Sequence, residues 1–259
     1  MVNFVSCMIR KTALALAALL ACISCSAGVR DYKVEVVASY PHDSKAYTQG
    51  LFFLGDTLCE STGQYGESSF RKVDLESGRV LEKVKFSRKY FGEGSCVLGD
   101  DIYILTWTSH VAFIYDAKTL KYKTAWSYPR DGWGITTDGT FLYASDGSNK
   151  IYVLTPDFKL KRTLFVKMDG RNIRYLNELE WIDGKIWANV YTTDMILVID
   201  PESGEVESRI DCSGLLPQEL RKPDTDVLNG IAVNGEGRIF LTGKNWPRLY
   251  EVKLVKSKN

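Results

Sequence analysis

The sequence predicts an all-β fold, a five-bladed β-propeller whose ring is closed by an N-terminal strand completing the last blade. Three observations predict it. One strand–turn–strand shape recurs five times, a third strand follows each copy, and the fourth strand missing from the last copy is available near the N-terminus. Repeats of roughly 40 to 50 residues match the length of a four-stranded blade.

The five copies are "GLFFLGDTLCEST" from Gly50, "GSCVLGDDIYILTW" from Gly94, "GITTDGTFLYASDG" from Gly134, "ELEWIDGKIWANVY" from Glu178 and "GIAVNGEGRIFLTG" from Gly230. Each is a pair of apolar runs around a Gly, Asp or Asn turn, the residues that accept the backbone of a tight hairpin. The segments that follow are "SFRKVDLESGRVL", "HVAFIYDAKTLKY", "NKIYVLTPDFKLK", "DMILVIDPESGEV" and "PRLYEVKL". The first four read as strand, turn and strand; the fifth supplies only a third strand. "YKVEVVASY" (Tyr32 to Tyr40) is expected to provide the missing one. Radial repetition of this kind removes most exposed sheet edges.

The chain has 259 residues, 45% of them hydrophobic and 25% charged, which is ample for a core. A net charge of +1 supplies no electrostatic case for nucleic acid or an anionic membrane as partner. Residues 1–27 read as a secretory signal and residues 28–259 as the propeller domain. Basic Arg10 and Lys11 precede an apolar run from Thr12 to Ala21 and then small residues. That run is too short to span a bilayer. Met1 and Met8 both offer a start. "LLAC" ending at Cys22 resembles a lipobox, so a lipid anchor at Cys22 and ordinary cleavage near Ala27 are the two expectations. Either way the protein is expected outside the cytoplasm, in a periplasm or at the cell surface. With no oligomer signal, a monomer is expected.

Cys59, Cys96 and Cys212 form no CxxC pair and read as buried thiols; His42 and His110 stand alone. No metal site and no cofactor is therefore expected.

Aligned repeats aim particular residues at one mouth. The position leading each first strand holds Gln49, Glu93, Trp133, Asn177 and Asn229. The end of each second strand returns to the same side with Gly63, Trp107, Gly147, Tyr191 and Lys244. Polar groups among aromatic walls are the composition of a small-molecule pocket. Plainer readings stand beside this one: Asn229 satisfying buried backbone, Trp133 as core, Lys244 as a surface residue with a packed stem. Glu93 is costly to bury alone, so Lys244 or a ligand amine is its expected partner.

The stretches "YPHDSKAYTQGL", "YFGEG", "DGWGITTDG", "YLNELEWIDGKIWANVYTTD" and "LNGIAVNGEGRIFLTGKNWPRLYEV" closely resemble the plant and bacterial glutaminyl-peptide cyclotransferases, from about Tyr40 to Leu254. The resemblance implies a five-bladed propeller that cyclises the N-terminal glutamine of peptides or proteins to pyroglutamate, with release of ammonia and no catalytic metal. It implies Glu93 as the proton-shuttling residue. Lys244, Asn177 and Gln49 would bind the substrate or polarise its amide, and Trp107 and Trp133 would be pocket tryptophans. Tyr191 departs from the Trp that plant relatives tend to carry, leaving a smaller wall. Two other classes remain. One is a metal-dependent hydrolase holding a hard cation through Glu93, Asn177 and Asn229. The other is a non-enzymatic propeller that binds peptides.

Overall fold

The computed structural model describes residues 28–257, so the expected signal, both candidate starts and Cys22 lie outside the described residues. The first strand, β1 (Arg30–Pro41), precedes the repeats. The first repeat forms β2 (Thr48–Leu54), β3 (Thr57–Thr62), β4 (Ser69–Val73) and β5 (Val80–Lys85). The second forms β6 (Gly92–Leu98), β7 (Asp101–Thr106), β8 (Val111–Asp116) and β9 (Tyr122–Ser127). The third forms β10 (Ile135–Thr137), β11 (Leu142–Ser145), β12 (Lys150–Leu154) and β13 (Leu160–Phe165). Each makes an antiparallel four-stranded sheet in chain order.

A small hairpin, β14 (Lys167–Met168) with β15 (Arg171–Asn172), precedes the fourth repeat. That repeat is β16 (Leu176–Ile182), β17 (Lys185–Val190), β18 (Met195–Ile199) and β19 (Val206–Asp211). The fifth is β20 (Leu228–Val233), β21 (Ile239–Gly243) and β22 (Arg248–Lys256). As expected, β1 supplies its fourth strand, running antiparallel to β22 from Tyr32 opposite Lys256 to Pro41 opposite Arg248. The sequence did not indicate a second pairing: Arg30 to Lys33 also run parallel to Ser208–Asp211 of β19. The last two repeats thereby merge into one eight-stranded sheet. Arg209 with Asp31 (2.7 Å) and Arg30 with Glu207 (3.4 Å) hold that join.

The core lies between successive sheets. Phe52, Cys59 and Phe70 pack on Ile102 and Ile104 of the next repeat, while Leu51 and Leu58 pack on Ala232, Phe240 and Leu249 of the fifth. The three cysteines of the described region are free and buried.

First strands touch in a cycle, β2 beside β6, β6 beside β10, β10 beside β16, β16 beside β20, and β20 beside β2. Their approach excludes side chains. A Cβ on Gly50 would stand 3.0 Å from Gly94 Cα, one on Gly94 2.6 Å from Trp133 O, and one on Gly134 2.9 Å from Glu178 Cα. The fourth repeat replaces this glycine with Glu178, whose carboxyl oxygens accept from Leu51 N (3.3 Å) and Ile231 N (3.0 Å). One side chain thus ties β16 to both β2 and β20. Burial, reinforced by neighbouring Glu180, pushes the Glu178 pKa well above the carboxylate range despite those two donors.

The seam between the first and fifth repeats is also closed by charge. His42, between β1 and β2, lies 2.7 Å by Nδ1 from the Trp246 carbonyl and 3.1 Å by Nε2 from Glu60 Oε1. Both neighbours only accept hydrogen bonds, so both ring nitrogens donate and the ring is an imidazolium. Glu60 also accepts from Thr48 Oγ1 (2.6 Å) and Arg71 Nε (2.8 Å), and Arg71 reaches Asp43 at 2.9 Å. Burial alone would lower the His42 pKa, but Glu60 and the Trp246 carbonyl hold it above its ordinary value. Burial alone would raise Glu60, yet Arg71 and His42 hold it far below.

Because the His42 pKa is raised, its stabilisation is complete below the ordinary histidine value of 6.5 and is lost as pH rises through the folded value. The Glu60 contribution has the opposite sense: complete above 4.5, lost as pH falls through its depressed value. His42→Gln is expected to cost about 3 kcal/mol in urea unfolding at roughly pH 6, the cost of breaking a buried pair. The difference from wild type should shrink as the buffer is made alkaline.

Candidate active site

The leading residues reach the mouth through a repeated backbone device. Register slips by a bulge between Thr48 and Gly50, Gly92 and Ser95, Leu176 and Leu179, and Leu228 and Ile231. A bulge adds an unpaired residue and re-aims its side chain. Gln49, Glu93, Asn177 and Asn229 all sit in these bulges. One further hydrogen bond then closes the first and second strands beyond the bulge. Gly63 N donates to Tyr47 O, Trp107 N to Phe91 O, Tyr191 N to Tyr175 O and Lys244 N to Val227 O, at 2.8 to 3.0 Å. Second strands brace the next repeat, with Ser61 Oγ donating to Glu93 O (2.6 Å) and Ser145 Oγ to Asn177 O (2.7 Å).

Of the eight residues other than glycine aimed at the mouth, seven line one cavity of about 220 Å3: Gln49, Glu93, Trp107, Trp133, Asn177, Tyr191 and Lys244. Trp133 is half-buried and meets Tyr191 edge-on at 5.5 Å, so it is a wall rather than plain core. Trp107, 37% exposed, forms the rim and meets Phe91 edge-on at 5.6 Å.

Asn229 is the exception. It is fully buried outside the cavity lining, and its Nδ2 donates to Thr48 O at 2.9 Å and lies 3.5 Å from Gln49 Oε1. Its Nδ2 is committed to the strand that carries Gln49 while its Oδ1 has no partner among the described residues, which matches the plainer expectation of an amide serving buried backbone behind the cavity wall.

Glu93 is 5% exposed, and among the described residues its carboxyl oxygens have no hydrogen-bond partner. Burial pushes its pKa well above the carboxylate range; Lys244 opposes the shift and Asp131 adds to it. Lys244 is 4% exposed, and burial lowers its pKa while Glu93 and Asp226 partly offset that. Of the two partners expected for Glu93, Lys244 makes no contact ion pair with it and acts on it only through space. The ammonium is instead flanked by aromatic faces, 4.8 Å from the Tyr47 centroid and 5.1 Å from that of Tyr191. Tyr47 is fixed by donating its hydroxyl to Asp226 Oδ2 at 2.9 Å. A carboxyl and an amine therefore face one cavity without touching, and burial works against the charged form of each.

The alignment missed Tyr47, Phe91 and Gln64 in the lining. Tyr47 and Phe91 stand two positions before Gln49 and Glu93, on the same side of an extended chain, so a second alignment column would have found them. Gln64 carried no signal, since it follows a turn glycine in a φ of +90° that glycine would ordinarily occupy. Among the described residues, no group of three or more His, Cys, Asp or Glu is placed to hold a metal ion.

The family model that matches residues 10–254 is described as glutamine cyclotransferase. A curated Arabidopsis thaliana protein, glutaminyl-peptide cyclotransferase, is 45% identical over 230 residues, covering 86% of this chain and 71% of the relative. The crystal structure of Myxococcus xanthus glutaminyl cyclase matches with a TM-score of 0.83 at 34% identity, covering 89% of this chain and 100% of that one.

Gly94→Ala tests the approach that positions Glu93. Its Cβ would stand 2.6 Å from Trp133 O and 2.8 Å from Gly134 Cα, both backbone atoms. A loss of about 1–3 kcal/mol in thermal or urea unfolding is expected from overpacking. Turnover by the folded fraction should fall on the order of 100-fold, because small displacements of a reacting group are that costly.

Proposed function

The chain belongs to the glutamine cyclotransferase family, and on that premise we propose how its cavity converts the N-terminal glutamine of a peptide to pyroglutamate. The observation that carries the reading is the unpaired, buried Glu93 carboxyl facing the same aromatic-walled cavity as an unpaired Lys244. The α-amine attacks the side-chain amide carbon of its own residue, the new carbon–nitrogen bond closes a five-membered lactam, and the bond to the amide nitrogen breaks. Holding both groups folded together between Trp107, Trp133 and Tyr191 supplies the proximity advantage.

Glu93 accepts the proton that the amine loses and delivers it to the departing nitrogen, which leaves as ammonia. A pKa raised by burial suits both halves of that shuttle. The Lys244 ammonium and the amides of Gln49 and Asn177 stabilise the oxyanion. Tyr191 serves twice, as a wall and as one face of the Lys244 cage. No step is routed through a metal. The alternative cation set of Glu93, Asn177 and Asn229 is disfavoured because Asn229 lies outside the cavity lining.

The cyclic contact of first strands supports a five-bladed propeller closed by β1. Residues 1–27 remain proposed as an export signal, with lipid attachment at Cys22 or cleavage near Ala27 as its two outcomes and an extracytoplasmic, monomeric protein as the product. The Pro41 end of β1 pairs beside Arg248, next to the turn that bears Lys244, so its Arg30 end lies on the face away from the cavity.

Glu93→Gln is expected to fold and to lose ammonia release from an N-terminal Gln dipeptide by at least about 100-fold, the scale of general acid–base catalysis. Retained turnover would remove Glu93 from the shuttle role. Wild-type activity is expected to survive exhaustive chelation.

Activity requires unprotonated Glu93, so the acid limb of kcat/KM should lie above the ordinary carboxylate value of 4.5. Asp131→Asn removes a charge that raises this pKa and should move the limb down. Lys244→Met removes the charge that lowers it and should move the limb up, with a reduced plateau.

A further inference from the structure

A cavity of about 220 Å3 is smaller than the roughly 300–1,000 Å3 of pockets that enclose drug-sized ligands. It takes a single residue, and the rest of a peptide must lie outside. A second hollow of about 560 Å3 begins where the first ends, and both share Tyr47 and Gln64 as lining. It runs across the mouth side of the seam between the first and fifth repeats, edged by exposed Lys45, Glu67, Lys83 and Asp224. Two acids and two lysines balance there. Arg71, also in its wall, is already paired with Glu60 and Asp43. Such a trough suits an extended polar segment held by its backbone rather than by the sign of its side chains.

Gln64 stands at the threshold between the two hollows with φ at +90°. A non-glycine residue in that region carries strain of roughly 1–3 kcal/mol and persists only where its surroundings impose it. Here the Gln64 carbonyl accepts from Glu67 N (3.1 Å), Ser68 N (2.9 Å) and Ser68 Oγ (2.7 Å), which locks the turn. The preceding Gly63 has no room for a side chain, since a Cβ would stand 2.7 Å from Phe91 Cζ and 3.1 Å from Gln49 Nε2. A glycine at 64 would relieve the strain, yet this chain keeps an amide there. An amide carries both donor and acceptor, the complement of a peptide unit.

We infer that Gln64 is a specificity residue that hydrogen-bonds the peptide unit following the substrate glutamine, and that the adjoining trough seats the next few residues. The inference rests on the cyclisation reading above. Ammonia release is measured for Gln-Ala and for Gln-Ala-Ser-Thr-Ala with the wild type, Gln64→Gly and Lys83→Glu. Wild type should favour the longer peptide through a lower KM. Gln64→Gly should erase that gain by roughly 3- to 10-fold, the worth of one hydrogen bond, while its Tm does not fall, since glycine suits the backbone. Lys83→Glu should make the trough acidic and favour a pentapeptide bearing lysines over one bearing glutamates, a preference absent from wild type. Equal kcat/KM for short and long peptides in wild type, or an undiminished gain in Gln64→Gly, would overturn the inference while leaving the cyclisation reading intact. Failure of wild type on the dipeptide as well would overturn both.

Discussion

The close approach of the first strands is the constraint on which the cavity depends, because it leaves no space for a β-carbon at Gly50, Gly94 or Gly134. Strands that near one another cannot carry ordinary alternating side chains at that level. The chain answers with glycine after four of the five leading residues and with bulges that turn leading side chains toward the mouth. Where the glycine is absent, Glu178 occupies the space by binding backbone N–H groups on two neighbours. Glu93 owes its position to this packing, since its own N-terminal and C-terminal glycines lie against Phe86, Thr62, Trp133 and Gly134.

Electrostatics at the mouth follow from the same geometry. Glu93 and Lys244 arrive on different repeats and are held apart by separate supports, a hydroxyl brace from Ser61 for one and two aromatic faces for the other. Had they met, each would have neutralised the other and the cavity would hold a spent ion pair. Kept apart, both are desolvated and their pKa values are pushed toward each other, Glu93 upward and Lys244 downward. That is the arrangement a proton shuttle and an oxyanion site require of two facing groups.

The charges that are allowed to pair lie at the seam. His42, Glu60, Arg71 and Asp43 join the loop before Gln49 to the turn after Lys244, so the fold closes beside the residues that touch the cavity. Closure of the sheets and alignment of the two sides of the site are thus one event, and β1 performs the same service along β22 and β19. The hollow above this seam shares Tyr47 and Gln64 with the cavity, so the join of the first and fifth repeats also borders the path proposed for a peptide.

By itself, the sequence determined the repeat, the displaced strand and seven of the residues in the cavity wall, because hairpin turns and strand alternation are local and recur at a fixed period. The leading residues were legible for the same reason: equivalent positions in a repeat are carried to equivalent places. Tertiary structure alone decided the remainder. Asn229 obeys the alignment and still lies outside the cavity lining, its amide nitrogen donating to Thr48 O far away in the chain. Lys244 and Glu93 looked like a pair by charge, but which groups flank an ammonium depends on strands from three repeats meeting at one point. Gln64 was invisible because its backbone is set by the turn around it rather than by its own preference. The parallel join of β1 to β19 likewise needed two ends of the chain side by side. Periodicity carries a side chain to the mouth; only long-range packing determines what it meets there.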